Sequence, residues 1–299
     1  MQYDVLCIGG ACMDHYYFSE KHPKPDEKVR ASSKMNAGGG PACNGAYASA
    51  VTDGKTALIA GLGKDAAGRQ ITEELSEEGV DCSACVSFDG STSESVIIVK
   101  PNSDRAVVSY KNTDLNITDD ISVNFPDSKV SLHDGHQASL SLRHLTENPN
   151  VISVIDAGSL HDGTKLLWDK VDWLVASRKF TRQFTGVDDN EKAFEALSER
   201  HEKVIVTLGA DGVLWSVNGK KGRVSTYSVE SIDSNGAGDV FHGAFALALA
   251  EGKNHQEAIA WASATAAVST TFWTPRNKAF TRQAVEALMQ EQELTYSNY

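Results

Sequence analysis

Nowhere does the sequence approach the roughly 18 consecutive apolar residues of a membrane-spanning helix, so no span is expected. The opening residues, Met1-Gln2-Tyr3-Asp4-Val5-Leu6, lack a basic region followed by a long apolar one. No signal peptide is therefore expected, and a cytoplasmic location is. Positive charge is scarce: 28 Lys and Arg face 40 Asp and Glu, for a formal net charge of −12. That balance disfavours nucleic acid or an anionic membrane as the main partner, because binding their phosphates needs clustered cations. A small anion in a local basic pocket stays open. Cysteine is sparse too, with five residues, an odd number consistent with reduced thiols. Cys82-Ser83-Ala84-Cys85 has CxxC spacing, but no second pair exists to complete a zinc site, so it reads as structural. There is no complete Gly-x-x-x-x-Gly-Lys-Ser/Thr phosphate loop, no internal repeat and no low-complexity tract.

What is present is ordinary globular material: 299 residues, 41% hydrophobic and 23% charged, long enough to bury a large core without disulfides or structural metal. Val5 to Gly9 reads as a short buried strand, and residues 28–36 alternate loosely like a partly exposed one. The apolar runs 96–99 and 106–108 flank Pro101-Asn102-Ser103-Asp104, a hairpin signal. Strands at 151–155, 173–175 and 204–206 then alternate with helical stretches, which argues for a parallel sheet covered on both faces. Helices are expected near 239–251, 255–271 and 281–292. We read residues 1–299 as one α/β domain with an appended β element from strands near 15–37 and 91–112, placed as a lid.

The most informative stretch is Asp233-Ser234-Asn235-Gly236-Ala237-Gly238-Asp239, followed by apolar positions at 240, 241, 244, 245, 247 and 248. That pattern starts a helix where the glycines end. Gly236, Ala237 and Gly238 then leave free amides at a positive helix terminus, a natural anion site that small side chains let a phosphate approach. Asp239 has two readings there. It is a helix cap, or a carboxylate kept ionised by the terminus and able to take a proton from an attacking hydroxyl.

Two other regions supply candidates. The strand at 203–206 runs into Thr207-Leu208-Gly209-Ala210-Asp211-Gly212, a small-residue turn at the carboxyl end of a strand, where ligands of open α/β sheets bind; a plain hairpin turn is the alternative. Gly38-Gly39-Gly40-Pro41 precedes a helix-like run that includes Asn44, with Pro41 in its first turn and Gly54 as its stop. Asp14, just past the first strand, and Asn44 offer the hydrogen bonds a diol needs, or merely cap backbone. His133-Asp134-Gly135-His136 falls at a strand end without further ligands, so no protein-held metal is expected. The pairs Glu73-Glu74 and Glu77-Glu78 read as the solvated face of a helix.

Taken together, Gly39-Gly40-x-x-x-Asn44, Thr207-x-Gly209-x-x-Gly212 and the 233–239 segment resemble the carbohydrate kinase family that includes ribokinase, fructokinase and ketohexokinase, over roughly residues 4–290. The resemblance implies a ribokinase-like three-layer α/β/α core with a mostly parallel sheet and a small β lid, often a homodimer through that lid. It implies Mg-ATP as donor, a monovalent cation such as K+ in some members, and a sugar hydroxyl as acceptor. By position it makes Asp239 the base and the amides of Gly236, Ala237 and Gly238 the phosphoryl cradle. Asp14, Lys28, Gly39, Gly40 and Asn44 would then hold the acceptor, and Ser177, Thr207, Gly209, Gly212, Gly236 and Gly238 the nucleotide.

Two departures stand out. Where relatives carry Asn-x-x-Glu, this sequence has Ser177-Arg178-Lys179-Phe180, a serine variant that resembles ketohexokinase and sulfofructose kinase and points to a ketohexose or a charged derivative. After the helix near 255–271 comes Phe272-Trp273-Thr274-Pro275-Arg276 in place of a Gly-Ala-rich loop, which bears on the potassium site and adenine pocket. A dinucleotide-dependent oxidoreductase fails, because Asp14 at the third place of a GxGxxG starting at Gly9 would oppose a pyrophosphate. A nucleoside kinase of the same fold and a non-catalytic sugar or nucleotide sensor remain as alternatives.

Overall fold

The computed structural model describes residues 2–101, 104–274 and 276–298. In chain order the first strands are β1 Tyr3–Gly9, β2 Cys12–Phe18, β3 Ser33–Gly39, β4 Thr56–Gly63, β5 Val86–Phe88, β6 Glu94–Val99 and β7 Arg105–Tyr110. They are followed by β8 Ser128–His133, β9 Ile152–Ala157, β10 Trp173–Ser177, β11 Lys203–Thr207, β12 Val213–Val217, β13 Lys220–Val224 and β14 Tyr296–Asn298. The helices are α1 Pro41–Val51, α2 Ala66–Glu77, α3 Ala138–Glu147, α4 Asp162–Leu167, α5 Arg178–Thr185, α6 Asn190–Ser198, α7 Ala237–Ala250, α8 His255–Ser269 and α9 Arg282–Glu291.

One large sheet runs β14-β13-β12-β11-β10-β9-β8-β1-β4-β5. It is parallel from β11 through to β5, and β12 to β14 continue it antiparallel. Its central strands are continuous apolar runs because both faces are covered. In β1, Val5 and Cys7 enter the core under α1, α7 and α8, while Leu6 and Ile8 enter the opposite layer with Leu140 of α3. The result is the ribokinase-like α/β/α arrangement. A second sheet, β3-β2-β6-β7, stands apart from it.

The structure moves several boundaries. The strand expected at 28–36 is β3, because pairing with β2 runs from Ser33↔Phe18 to Gly39↔Cys12 and leaves 28–32 beyond the partner's end. Asp14, just past β1, lies within β2. Helix α1 stops at Val51, and the residue that turns the chain in the left-handed region is Asp53 (φ 69°), not Gly54. The strands β6 and β7 do form an antiparallel hairpin, whose turn residues Asn102 and Ser103 lie outside the described residues, as does Pro275.

Helices α1 and α7 approach so closely that only glycine fits: a Cβ on Gly243 would lie 2.1 Å from the carbonyl oxygen of Gly45. That contact brings the two helix N-termini side by side.

Candidate active site

Gly40, at φ 96°, turns the chain from β3 into α1, and a Cβ there would meet the Gly10 carbonyl oxygen at 2.7 Å. Gly236, at φ 75°, does the same before α7. The first-turn amides of α7 point outward, as helix geometry requires, and the space beside Gly238 is open. Asp239 sits half-buried on this turn, and its Oδ2 accepts from the side-chain amide of Asn44 at 2.8 Å.

The other oxygen-bearing end of that amide meets Arg276, whose Nη2 donates to Asn44 Oδ1 at 3.3 Å. Arg276 also donates from Nε to the Gly38 carbonyl (3.0 Å) and from Nη2 to Cys43 Sγ (3.0 Å), and it lies 4.3 Å over the Tyr47 ring. Glu74 accepts from the Gly38 amide at 2.8 Å. It is therefore a contact of the glycine segment, correcting the expectation that it is merely solvated. Asp14 is buried against Gly39, where a Cβ would come within 2.2 Å of its Oδ2. Burial raises the Asp14 carboxyl, while hydrogen bonds from Cys12 and Ser95 and the charge of Arg276 pull it back.

Beneath this lies Asp134, which the sequence offered only as part of a doubtful metal motif. Its carboxylate accepts from the amides of Gly10 (2.7 Å), Ala42 (3.0 Å) and His136 (2.7 Å), tying β1, α1 and the end of β8 together. Burial alone would raise this carboxyl, but His136 and the amides hold it at about 2. Among the described residues no cluster of three or more His, Cys, Asp or Glu is placed to hold a metal.

Two cavities flank the junction. One, of about 190 Å³, is lined by Gly10, Ala11, Gly40, Ser95, Lys111 and His136. The other, about 510 Å³, is lined by Thr207, Gly209, Gly212, Ala237, Gly238 and Phe241 among others. The 207–212 turn joins antiparallel β11 and β12 as a hairpin turn does, and it also walls a cleft shared with the α7 terminus. A more open hollow continues from Thr207 and Gly209 to Ser177, Arg178, Lys179 and Arg182.

Ser177 spends its hydroxyl on structure, accepting from the Phe180 amide (3.0 Å) as the cap of α5 and donating to the Gly158 carbonyl (2.8 Å). Phe180, at the place of the missing glutamate, is 0% exposed and stacks on Phe184. Lys28 stands exposed on the loop between β2 and β3.

Electrostatically the junction is acidic. Asp239 is raised above the ordinary carboxylate range by burial and then by the charge of Asp156, against the pull of Asn44 and His242, so the helix terminus does not act on it alone. Asp156, buried at the end of β9, is raised to about 7 by burial and by Asp134. Its Oδ2 lies 3.2 Å from His242 Nδ1. Asp156 and His242 were missed, and Arg276 and Asp134 were named without a role, because the contacts Asp156–His242, Arg276–Asn44 and Asp134–Gly10 each join residues far apart in sequence.

Thr274, in the stretch where the resemblance bears on a monovalent cation, lies against Asp233: its amide is 3.5 Å from Asp233 Oδ2. Asp233 Oδ1 already accepts from the Asn235 amide (2.9 Å) and from Arg105 Nη1 (3.1 Å). This buried carboxylate has its countercharge from the protein, and the residues present do not fit a bound monovalent ion.

A family model described as pfkB family carbohydrate kinase matches residues 2–272, and the chain belongs to that family. Ribokinase of Haemophilus influenzae is 26% identical over 298 residues, covering 95% of this chain and 97% of its own length. Probable fructokinase-5 of Arabidopsis thaliana is 29% identical over 271 residues, covering 79% and 83%. The structure of Arabidopsis thaliana ribokinase complexed with ribose and ATP shares the fold, with a TM-score of 0.83 at 23% identity, covering 97% of this chain and 99% of its own. The protein is a sugar kinase, a phosphotransferase of the pfkB carbohydrate kinase family. No helix among the described residues is long and apolar enough to cross a membrane.

Proposed function

We propose that the protein transfers the γ-phosphoryl group of Mg-ATP to a hydroxyl of a small sugar, with Asp239 as the base. The observation that carries this is the position of Asp239, on a helix N-terminus that also walls the larger cleft and hydrogen-bonded to Asn44 beside the Gly39–Gly40 turn. In this reading the acceptor lies against Asp14, Gly39, Gly40 and Asn44, and the nucleotide against Thr207, Gly209 and Gly212. The acceptor oxygen forms its bond to the γ-phosphorus while the bond to the β–γ bridging oxygen breaks. That electron pair leaves on ADP, and the hydroxyl proton passes to Asp239. The outward amides of α7 meet the charge on the migrating group. Magnesium, bound with the nucleotide, would neutralise phosphate oxygens.

The second sheet then serves as a lid that excludes water. Its outer face exposes Tyr17, Val96, Val108 and Tyr110, with Val96 opposite Val108, an apolar surface suited to a second copy of the chain. For the acceptor we favour a ketohexose or a charged relative, since Lys111 and His136 line the smaller cavity beside hydroxyl-bearing groups.

The test is ADP release from Mg-ATP across sugars and nucleosides, with Asp239→Asn as control. Release that needs one acceptor and drops by about a hundredfold or more in the variant supports the reading. A nucleoside as the only acceptor would move the substrate class. Turnover unchanged in Asp239→Asn would remove Asp239 as base.

A further inference from the structure

Three contacts join the second sheet to the anion-binding turn, and all involve residues at which this chain departs from its relatives or that the sequence left unassigned. Arg105, at the start of β7, reaches Asp233 at 3.1 Å, with Asp233 only 7% exposed. Tyr16 of β2 accepts at its hydroxyl from Asn235 Nδ2 at 2.8 Å. Phe18 of β2 meets Trp273 edge to face, 4.9 Å between centroids, so a residue of the unusual stretch after α8 packs on the sheet. The three side chains share one face of the sheet. Tyr16 is in register with Ile97, Phe18 with Val99, and Val99 with Arg105, and Tyr16, Ile97 and Val99 are buried.

We infer that Arg105 is the cation of the 233–239 turn, standing where a monovalent ion would otherwise be bound, and is a positioning residue for phosphoryl transfer. A buried carboxylate beside a phosphate site would repel the donor unless its charge is met. A dissolved ion meets it whatever the sheet is doing. A guanidinium on β7 meets it only when the sheet lies over the turn, and its planar fork holds one geometry. Asp233 in turn fixes the Asn235 amide at 2.9 Å, one residue before Gly236. Closing the sheet over the acceptor thus completes the cradle for the nucleotide. This rests on the kinase reading for the identity of the anion, and on the geometry alone for the countercharge.

The experiment compares the intact protein with Arg105→Met and Arg105→Lys in buffers whose only monovalent cation is tetramethylammonium, Na+ or K+. Two quantities are read: ADP affinity by calorimetry, and acceptor-dependent ADP release. The wild-type protein is expected to stay within about twofold across all three cations in both readouts. Arg105→Met is expected to lose about tenfold or more in each under tetramethylammonium, and to recover most of it with K+ or with millimolar guanidinium. Arg105→Lys should keep its independence of K+. Circular dichroism checks that each variant is folded.

Wild-type protein that gains tenfold from K+ would overturn the inference. So would Arg105→Met that matches the wild type, or a loss that neither ion relieves, which would make Arg105 a latch without a cationic role. If no acceptor supports ADP release in the wild type, the kinase reading fails, and the cation dependence of ADP affinity still decides the role of Arg105.

Discussion

Asn44 donates its side-chain amide to the Asp239 carboxylate at 2.8 Å across 195 residues of sequence, joining the first turns of α1 and α7. Arg276, bonded to the opposite end of the same amide, decides which way it faces. With its oxygen held by a guanidinium, the amide presents N–H to Asp239, which favours the ionised carboxylate.

Replacing Asn44 with Ala should therefore act on Asp239. Burial and Asp156 hold that carboxyl above the ordinary range, and Asn44 works against them. In the proposed mechanism turnover needs the ionised form, so it should fall as pH drops, before the ordinary carboxylate range is reached. In Asn44→Ala the fall should begin at higher pH, with kcat about tenfold lower at neutral pH. A pH profile of kcat that superimposes on the wild type would show that Asn44 does not tune the base.

Gly39→Ala tests the acceptor side. The added methyl would lie 2.2 Å from Asp14 Oδ2 and must displace it. KM for the acceptor should rise about tenfold or more with KM for ATP unchanged, because uniform binding of one substrate is lost. Equal rises in both constants would mean general distortion.

Asp134→Asn tests the scaffold under the site. The Asp134 carboxyl sits at about 2, below its unfolded value of roughly 3.9. A depressed carboxyl stabilises above the unfolded value, and the contribution is lost as pH falls through about 2. The variant should be destabilised at pH 7 by about 3 kcal/mol, with the gap narrowing below about pH 4. Urea titrations at several pH values measure this, and a gap independent of pH would exclude the charge as its source.

Phe180→Glu restores the residue type that relatives carry, in a place that is 0% exposed. A lone carboxylate there costs about 3–5 kcal/mol, so the melting temperature should fall sharply without gain in turnover. A stable variant with faster turnover would show that the side chain reaches the phosphates.

Much of the fold was written locally. Unbroken apolar runs such as Val5–Ile8 mark parallel strands buried on both faces, and glycines before an apolar periodic run mark the α7 terminus wherever they occur. Asp239, Asn44 and the glycine turns were legible for that reason, since each belongs to a short segment with its own chemistry. The partners were not. Arg276, Asp134 and Arg105 are a loop, a strand end and a hairpin residue with no local pattern. They matter because the close approach at Gly45 and Gly243 and the register of the second sheet bring them to carboxylates or amides far along the chain. The sequence by itself determined which short segments carry a carboxylate, an amide or a glycine turn at an element's end. Only the tertiary structure decided which charges those groups meet, because burial and distance set a carboxylate's state and neither is a property of neighbouring residues in the chain.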